Sequence, residues 1–246
     1  MTVSPEVMAE QVMGYVVGAS ELIPTLQPPP NKSYSIAILP QGPHFYTGLL
    51  QAAGYLLLDA SKKNLMIISQ QSDDPKTILV DSTSYGPIFG QSWENSIAKT
   101  NALAKSIGGK ITAPEQKNLF EQMLFQLPFL RVVTNTESIH HVSIGNNTPV
   151  VSIKKLMLWI KKNMSKYNIV LLTNIDIIGS VRSKKNDEEK QIAKLIQDPL
   201  SNITILTLFQ NILKLDKKKP EVIAYVNPGD FGKTGSLTTR YVCAVA

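Results

Sequence analysis

The chain has 246 residues, 43 % of them hydrophobic, and a mean hydropathy of −0.01; that is enough apolar surface for one large α/β core and too much for a disordered chain. Its formal charge of +6, from 25 basic against 19 acidic residues, is spread over short lysine clusters without interleaved aromatics, which argues for a solvated basic surface and against a specific nucleic-acid module. The lone Cys243 excludes an internal disulfide, and Glu6, Glu10 and Glu21 interrupt the first apolar positions, so neither a secretory signal nor a membrane span is expected and a cytoplasmic location is the default.

Ser4, Pro5 and Glu6 make a helix start, with a capping hydroxyl and a proline tolerated in the first turn, and the opening helix is expected to reach about Ala19. Pro28, Pro29 and Pro30 cannot continue it and read as an extended connector to a strand at Ser33 to Leu39. Short apolar, β-rich runs then recur at Asn64 to Ser69, Thr77 to Ser82, Leu130 to Asn135, Ile139 to Ile144, Ile169 to Asn174, Glu221 to Asn227 and Arg240 to Val245. Helical patterns separate them at Thr47 to Ala60, Trp93 to Ile107, Pro114 to Gln126, Ser152 to Ser165, Asp187 to Gln197 and Leu206 to Leu215. In Ser152 to Ser165 the stripe Ile153, Leu156, Met157, Ile160 and Met164 should face a sheet while the lysines face water. In Phe120 to Leu130 a similar stripe of Phe120, Met123, Leu124 and Leu127 should end at Pro128. Cys243 lies in the apolar run Tyr241 to Ala246 and reads as a buried strand thiol. Strands interleaved with helices predict a single-domain α/β sandwich around a largely parallel or mixed central sheet.

Two segments resemble the signatures of one family. Residues 38 to 48, Ile-Leu-Pro-Gln-Gly-Pro-His-Phe-Tyr-Thr-Gly, follow the frame A-P-H-A-G-Y-x-Y-S-G, and residues 120 to 130, Phe-Glu-Gln-Met-Leu-Phe-Gln-Leu-Pro-Phe-Leu, follow E-H-S-L-E-V-Q-L-P-F-L. These frames belong to the Memo family, also called AmmeMemoRadiSam system protein B, whose fold resembles class III extradiol ring-cleavage dioxygenases. Gln41 and Glu121 stand where that family has histidines. After the strand Leu65 to Ile68 the family has a turn close to G-P-S-H-H, and this chain has Ser69-Gln70-Gln71-Ser72-Asp73. Ile139 to Gly145 matches the family strand I-V-P-I-L-V-G, and Leu172 to Ile175 occupies its S-S-D-F turn with Asn174 in place of the aspartate. The resemblance further implies a pocket cysteine, which aligns near Leu200.

Neutral amides and hydroxyls bind iron or copper weakly, so the resemblance implies a degenerate metal site with no cofactor. His44 lies three residues past the lost histidine and reads as a hydrogen-bonding loop residue, while His140 and His141, adjacent on a strand, face opposite sides and read as structural. Asp73, Asp74 and Asp176 follow strands and admit either a hard cation or simple loop capping. Gly229 to Gly235 lacks the spacing of a phosphate loop, and no Ser, His and Asp constellation is visible in the sequence. The expected function is a non-catalytic binding or accessory protein acting through a remodelled pocket of Gln41, His44, Ser72, Asp73, Gln122, Asn174 and Asp176. The alternatives are a metal-dependent oxidoreductase using His44, Asp73 and Asp176, and a structural or protein-interaction module. The expected partner is a small ligand or a protein, a homodimer included.

Overall fold

A parallel strand buried on both faces must be apolar along its whole length, and the runs around Ile36, Ile67 and Val170 meet that demand. The computed structural model describes residues 5–25, 33–42, 44–71, 76–112, 123–145, 147–173, 175–176, 190–192, 194, 196, 204–217, 219–226 and 239–246. In chain order the described elements are helix α1 (Pro5–Leu22), strand β1 (Ile36–Leu39), helix α2 (His44–Leu56), strands β2 (Asn64–Gln71), β3 (Ile78–Val80), β4 (Tyr85–Ile88) and β5 (Gln91–Trp93), helix α3 (Ile97–Ile107), and strand β6 (Lys110–Ile111). Helix α4 (Leu127–Val133), strand β7 (Ser138–Gly145), helix α5 (Val150–Asn163), strands β8 (Tyr167–Leu172) and β9 (Ile175–Asp176), helix α6 (Thr204–Asp216), and strands β10 (Glu221–Val226) and β11 (Thr239–Val245) complete them.

The main sheet runs β10, β11, β1, β8, β2, β7, β3, β6, with β9 paired to β11. Its four central strands β1, β8, β2 and β7 are parallel, so their carboxyl ends lie along one edge; β11 and β3 join antiparallel on either side. Side chains alternate between two cores. Ile36, Ile38, Met66, Ile68, Val142, Ile144, Ile169 and Leu171 face α3, α5 and α6, while Ala37, Leu39, Leu65, Ile67, Ile139, Val170 and Leu172 face α1, α2, α4 and the β4–β5 hairpin. The result is one mixed sheet between two helical layers. Among the described residues no helix is long and apolar enough to cross a membrane.

Close approach of α2 to the sheet depends on Gly54, where an added Cβ would overlap the Leu39 side chain and lie 3.3 Å from Cys243 Sγ. At Gly48 the same atom would sit 2.5 Å from the Tyr15 ring, which brings α1 onto α2. Cys243 is fully buried, as its apolar run predicts, and burial pushes its thiol up to about 12. In α5, Leu156 and Ile160 are buried, Ile153, Met157 and Trp159 pack against the same core, and the lysines are exposed, as the stripe requires.

Several expectations are corrected. Leu130 to Asn135 is not a strand: α4 spans Leu127–Val133 with Pro128 in its first turn, after the helical Met123 and Leu124, and most of the expected Pro114 to Gln126 helix lies outside the described residues. A proline lacks only an N–H that has no partner at that position, and burial of Leu127, Phe129 and Leu130 fixes the helix despite Val132 and Val133. Trp93 begins no helix; it ends β5, fully packed, with its indole N–H donating to Thr136 O at 2.9 Å. Leu124 of the proposed stripe is exposed. Ser69, Gln70 and Gln71 form no turn, because β2 continues through Gln71 in register with Ser143 to Gly145. The proline-rich connector and the Gly229 to Gly235 turn lie outside the described residues.

Candidate functional site

The carboxyl ends of β1, β8 and β2 are adjacent, the place where open α/β sheets present side chains to ligands. Gln41 stands two residues beyond β1 and donates its Nε2 amide to Leu172 O, the last residue of β8, at 3.0 Å. One step back, Thr173 N–H donates to Leu39 O at 3.0 Å, so the two strand ends are tied by backbone and side chain together. Thr47 Oγ1 donates to Gly42 O at 3.1 Å, and Gln51 donates Nε2 to Pro40 O at 3.2 Å. The first-motif loop is therefore held from β8 on one side and from α2 on the other. Gln51 Oε1 is buried without a hydrogen-bond partner among the described residues, beside the strand end.

His44 opens α2. Its Nε2 lies 2.7 Å from Phe125 O, and because a carbonyl only accepts, Nε2 carries the proton. The ring makes edge contacts with Phe129 at 5.0 Å and Phe125 at 5.7 Å. Burial lowers its pKa and the Phe125 carbonyl opposes this in part, so the imidazole is neutral near pH 7. The two sequence motifs thus meet: the first supplies His44, and the second supplies Phe125, Gln126 and Phe129. Tyr55 adds to this seam by donating to Gln126 Oε1 at 2.9 Å.

Of the other sequence-derived candidates, Ser72, Asp73, Gln122 and Asn174 lie outside the described residues, as do Asp74 and Leu200. Asp176 is placed by its backbone in β9 opposite Thr239, and its side chain lies outside the described set. Among the described residues no three His, Cys, Asp or Glu side chains come together in a group able to hold a metal.

A second polar cluster was not visible in the sequence. Ser69 Oγ lies 2.8 Å from His141 Nε2, and His141 Nδ1 lies 3.5 Å from Asp81 Oδ2, an electrostatic contact longer than a good hydrogen bond. The Asp81 carboxylate also accepts the Tyr85 hydroxyl at 2.5 Å and the Thr83 N–H at 2.8 Å. Burial would raise this carboxyl, but His141, Tyr85 and Thr83 outweigh it and hold Asp81 at about 2. With the carboxylate facing Nδ1, the favoured His141 tautomer accepts the Ser69 hydroxyl at Nε2. The three are far apart in sequence, and β2, β7 and β3, consecutive in the sheet, bring them together. Asp81 N–H donating to His141 O at 2.9 Å extends the β3–β7 ladder and sets the geometry.

The order of this chain is that of an acid, base and nucleophile, yet Ser69 and His141 have 0 % exposure, so no substrate reaches Ser69 Oγ in this conformation. Its evident work is to lock β2, β7 and the turn after β3. Beside it on the same face of β7, Ser143 Oγ is buried without a hydrogen-bond partner among the described residues. His140 points to the opposite face, where it stacks on Tyr167 at 5.8 Å; burial, with Lys99 nearby, lowers its pKa. No family model and no curated protein matches the chain. Among solved structures it is similar to an uncharacterized protein, JW3007, from Escherichia coli K12, at 9 % identity over 85 % of this chain and 98 % of that one, with a TM-score of 0.49.

Proposed function

We propose that the chain is a divergent Memo-like protein in which the family's metal chemistry has given way to binding, so that it acts as an accessory or ligand-binding protein through the loops at the carboxyl ends of β1, β8 and β2. The observation that carries this reading is the use of Gln41. At the position where the first family motif has a histidine, a neutral amide ties β1 to β8 by donating to Leu172 O. An amide is a poor ligand for iron, copper or zinc. His44, the nearest imidazole in sequence, gives its Nε2–H to Phe125 O and packs against Phe129, which suits a structural role at the motif seam.

Elemental analysis of protein purified without chelator or histidine tag tests the proposal. Less than about a tenth of an equivalent of iron, copper or zinc is expected, because tight sites depend on ligand type and number. Roughly one equivalent that survives gel filtration and is lost in Asp176→Ala would overturn the reading in favour of a metal-dependent oxidoreductase.

A further inference from the structure

At the opposite end of the sheet from those loops, the last turn of α6 and the start of β10 line an open groove of about 310 Å³. β10 is antiparallel to β11, which is antiparallel to β1, so Glu221 at the start of β10 lies level with the amino end of β1. The groove therefore shares no loop with the proposed pocket. Its size falls in the range of small-molecule sites. Its lining is mostly apolar, with Pro220 and the lysine stems at the surface over the buried Leu213 and Ile196, and Gln210 steadies the base by donating Nε2 to Ile196 O at 2.9 Å. Lys214, Lys217 and Lys219 form the rim, and none has an ion-pair partner among the described residues.

A helix C-terminus favours a cation, which explains Lys214 in the last turn. It does not explain Lys217, whose φ of 53° is the left-handed conformation that glycine takes without a Cβ penalty. A lysine there carries a backbone cost while placing a third ammonium on the rim. We propose that this groove binds a small amphipathic organic anion, an alkyl or aryl carboxylate whose apolar part rests on Pro220 and the lysine stems over Leu213 while its carboxylate lies among the three lysines. Covering the exposed apolar lining supplies affinity and the ammonium groups supply the choice of an anion over a neutral analogue.

The test is equilibrium binding of octanoate, decanoate and decanol to the full chain, each below its micellar or solubility limit, with inorganic phosphate and anionic phospholipid vesicles as further arms. Decanoate is expected to bind more tightly than octanoate, by up to about fourfold per methylene, and more tightly than decanol. Lys217→Gly should weaken decanoate roughly two- to fivefold, with a thermal midpoint unchanged or higher, because it removes charge and relaxes the backbone together. Lys219→Ala should weaken it similarly. No decanoate binding, equal binding of decanol, no gain with chain length, or unchanged affinity in both lysine variants would overturn the proposal. So would phosphate binding as well as decanoate, or adsorption to vesicles without binding of the free acid.

Discussion

Replacing Asp81 by alanine probes the buried polar chain most sharply. The carboxylate is 5 % exposed and accepts the Tyr85 hydroxyl, itself 1 % exposed, together with the Thr83 N–H, and it sits beside His141 Nδ1. A hydrogen bond to a charged acceptor contributes about 1.5 to 3 kcal/mol, and a buried hydroxyl left without a partner costs about 1 to 3 kcal/mol. These terms overlap, which places the expected loss at about 3 kcal/mol, or roughly 1 M in urea midpoint for a chain of this size. Chemical denaturation followed by tryptophan fluorescence reads it directly, because Trp93 ends the hairpin that Tyr85 begins. In an Asp81→Ala background, Tyr85→Phe should cost much less than it does alone, since the orphaned hydroxyl goes with it. A single-variant loss under about 0.5 kcal/mol, or additive losses in the cycle, would refute the reasoning.

Other outcomes follow from the same geometry. Asp81 is held at about 2, below its ordinary 3.8, so its contribution is fully present above the unfolded value and is lost as pH falls through about 2. Wild type should lose about 2 kcal/mol between pH 5 and pH 2 that Asp81→Asn does not, measured by urea midpoints across that range. Gly54→Ala should destabilise by about 1 to 3 kcal/mol through overlap with Leu39, whereas Gly14→Ala, with no atom within 4 Å of the new methyl, should stabilise by up to about 1 kcal/mol; thermal melts of the pair must differ in sign. Leu127→Ala, at a 1 % exposed position in the second motif, should cost about 2 to 5 kcal/mol, and an unchanged denaturant midpoint would remove α4 from the core.

The central strands are legible because burial on both faces leaves a continuous apolar run: Ile36 to Leu39 and Leu65 to Ile68 are strands as expected, and the run expected over Ile169 to Asn174 is β8, Tyr167–Leu172, between them in the sheet. Helix α5 is legible for a complementary reason, its apolar stripe being flanked by lysines. Leu130 to Asn135 misleads because Val132 and Val133 favour strands locally, while packing of Phe129 and Leu130 selects a helix. The hairpin of β4 and β5 offers too little periodicity to detect, with Gly86 and Pro87 in its first strand and Gly90 in its turn. The grouping of Ser69, Asp81 and His141 is not legible because each is an ordinary strand or turn residue, and only the order β2, β7, β3 joins them. Gln41 and His44 are legible as candidates, but their bonds to Leu172 O and Phe125 O join residues 131 and 81 positions apart, which no local pattern reports.

The most direct measurement is a high-resolution crystal structure with anomalous data collected at the iron, copper and zinc edges. It should bring Gln41, Asp73 and Asn174 within reach of one ligand at the carboxyl ends of β1, β8 and β2, with no anomalous peak among them. A metal peak coordinated by His44, Asp73 or Asp176, or the three residues on separate faces of the sheet, would contradict a remodelled, metal-free binding pocket.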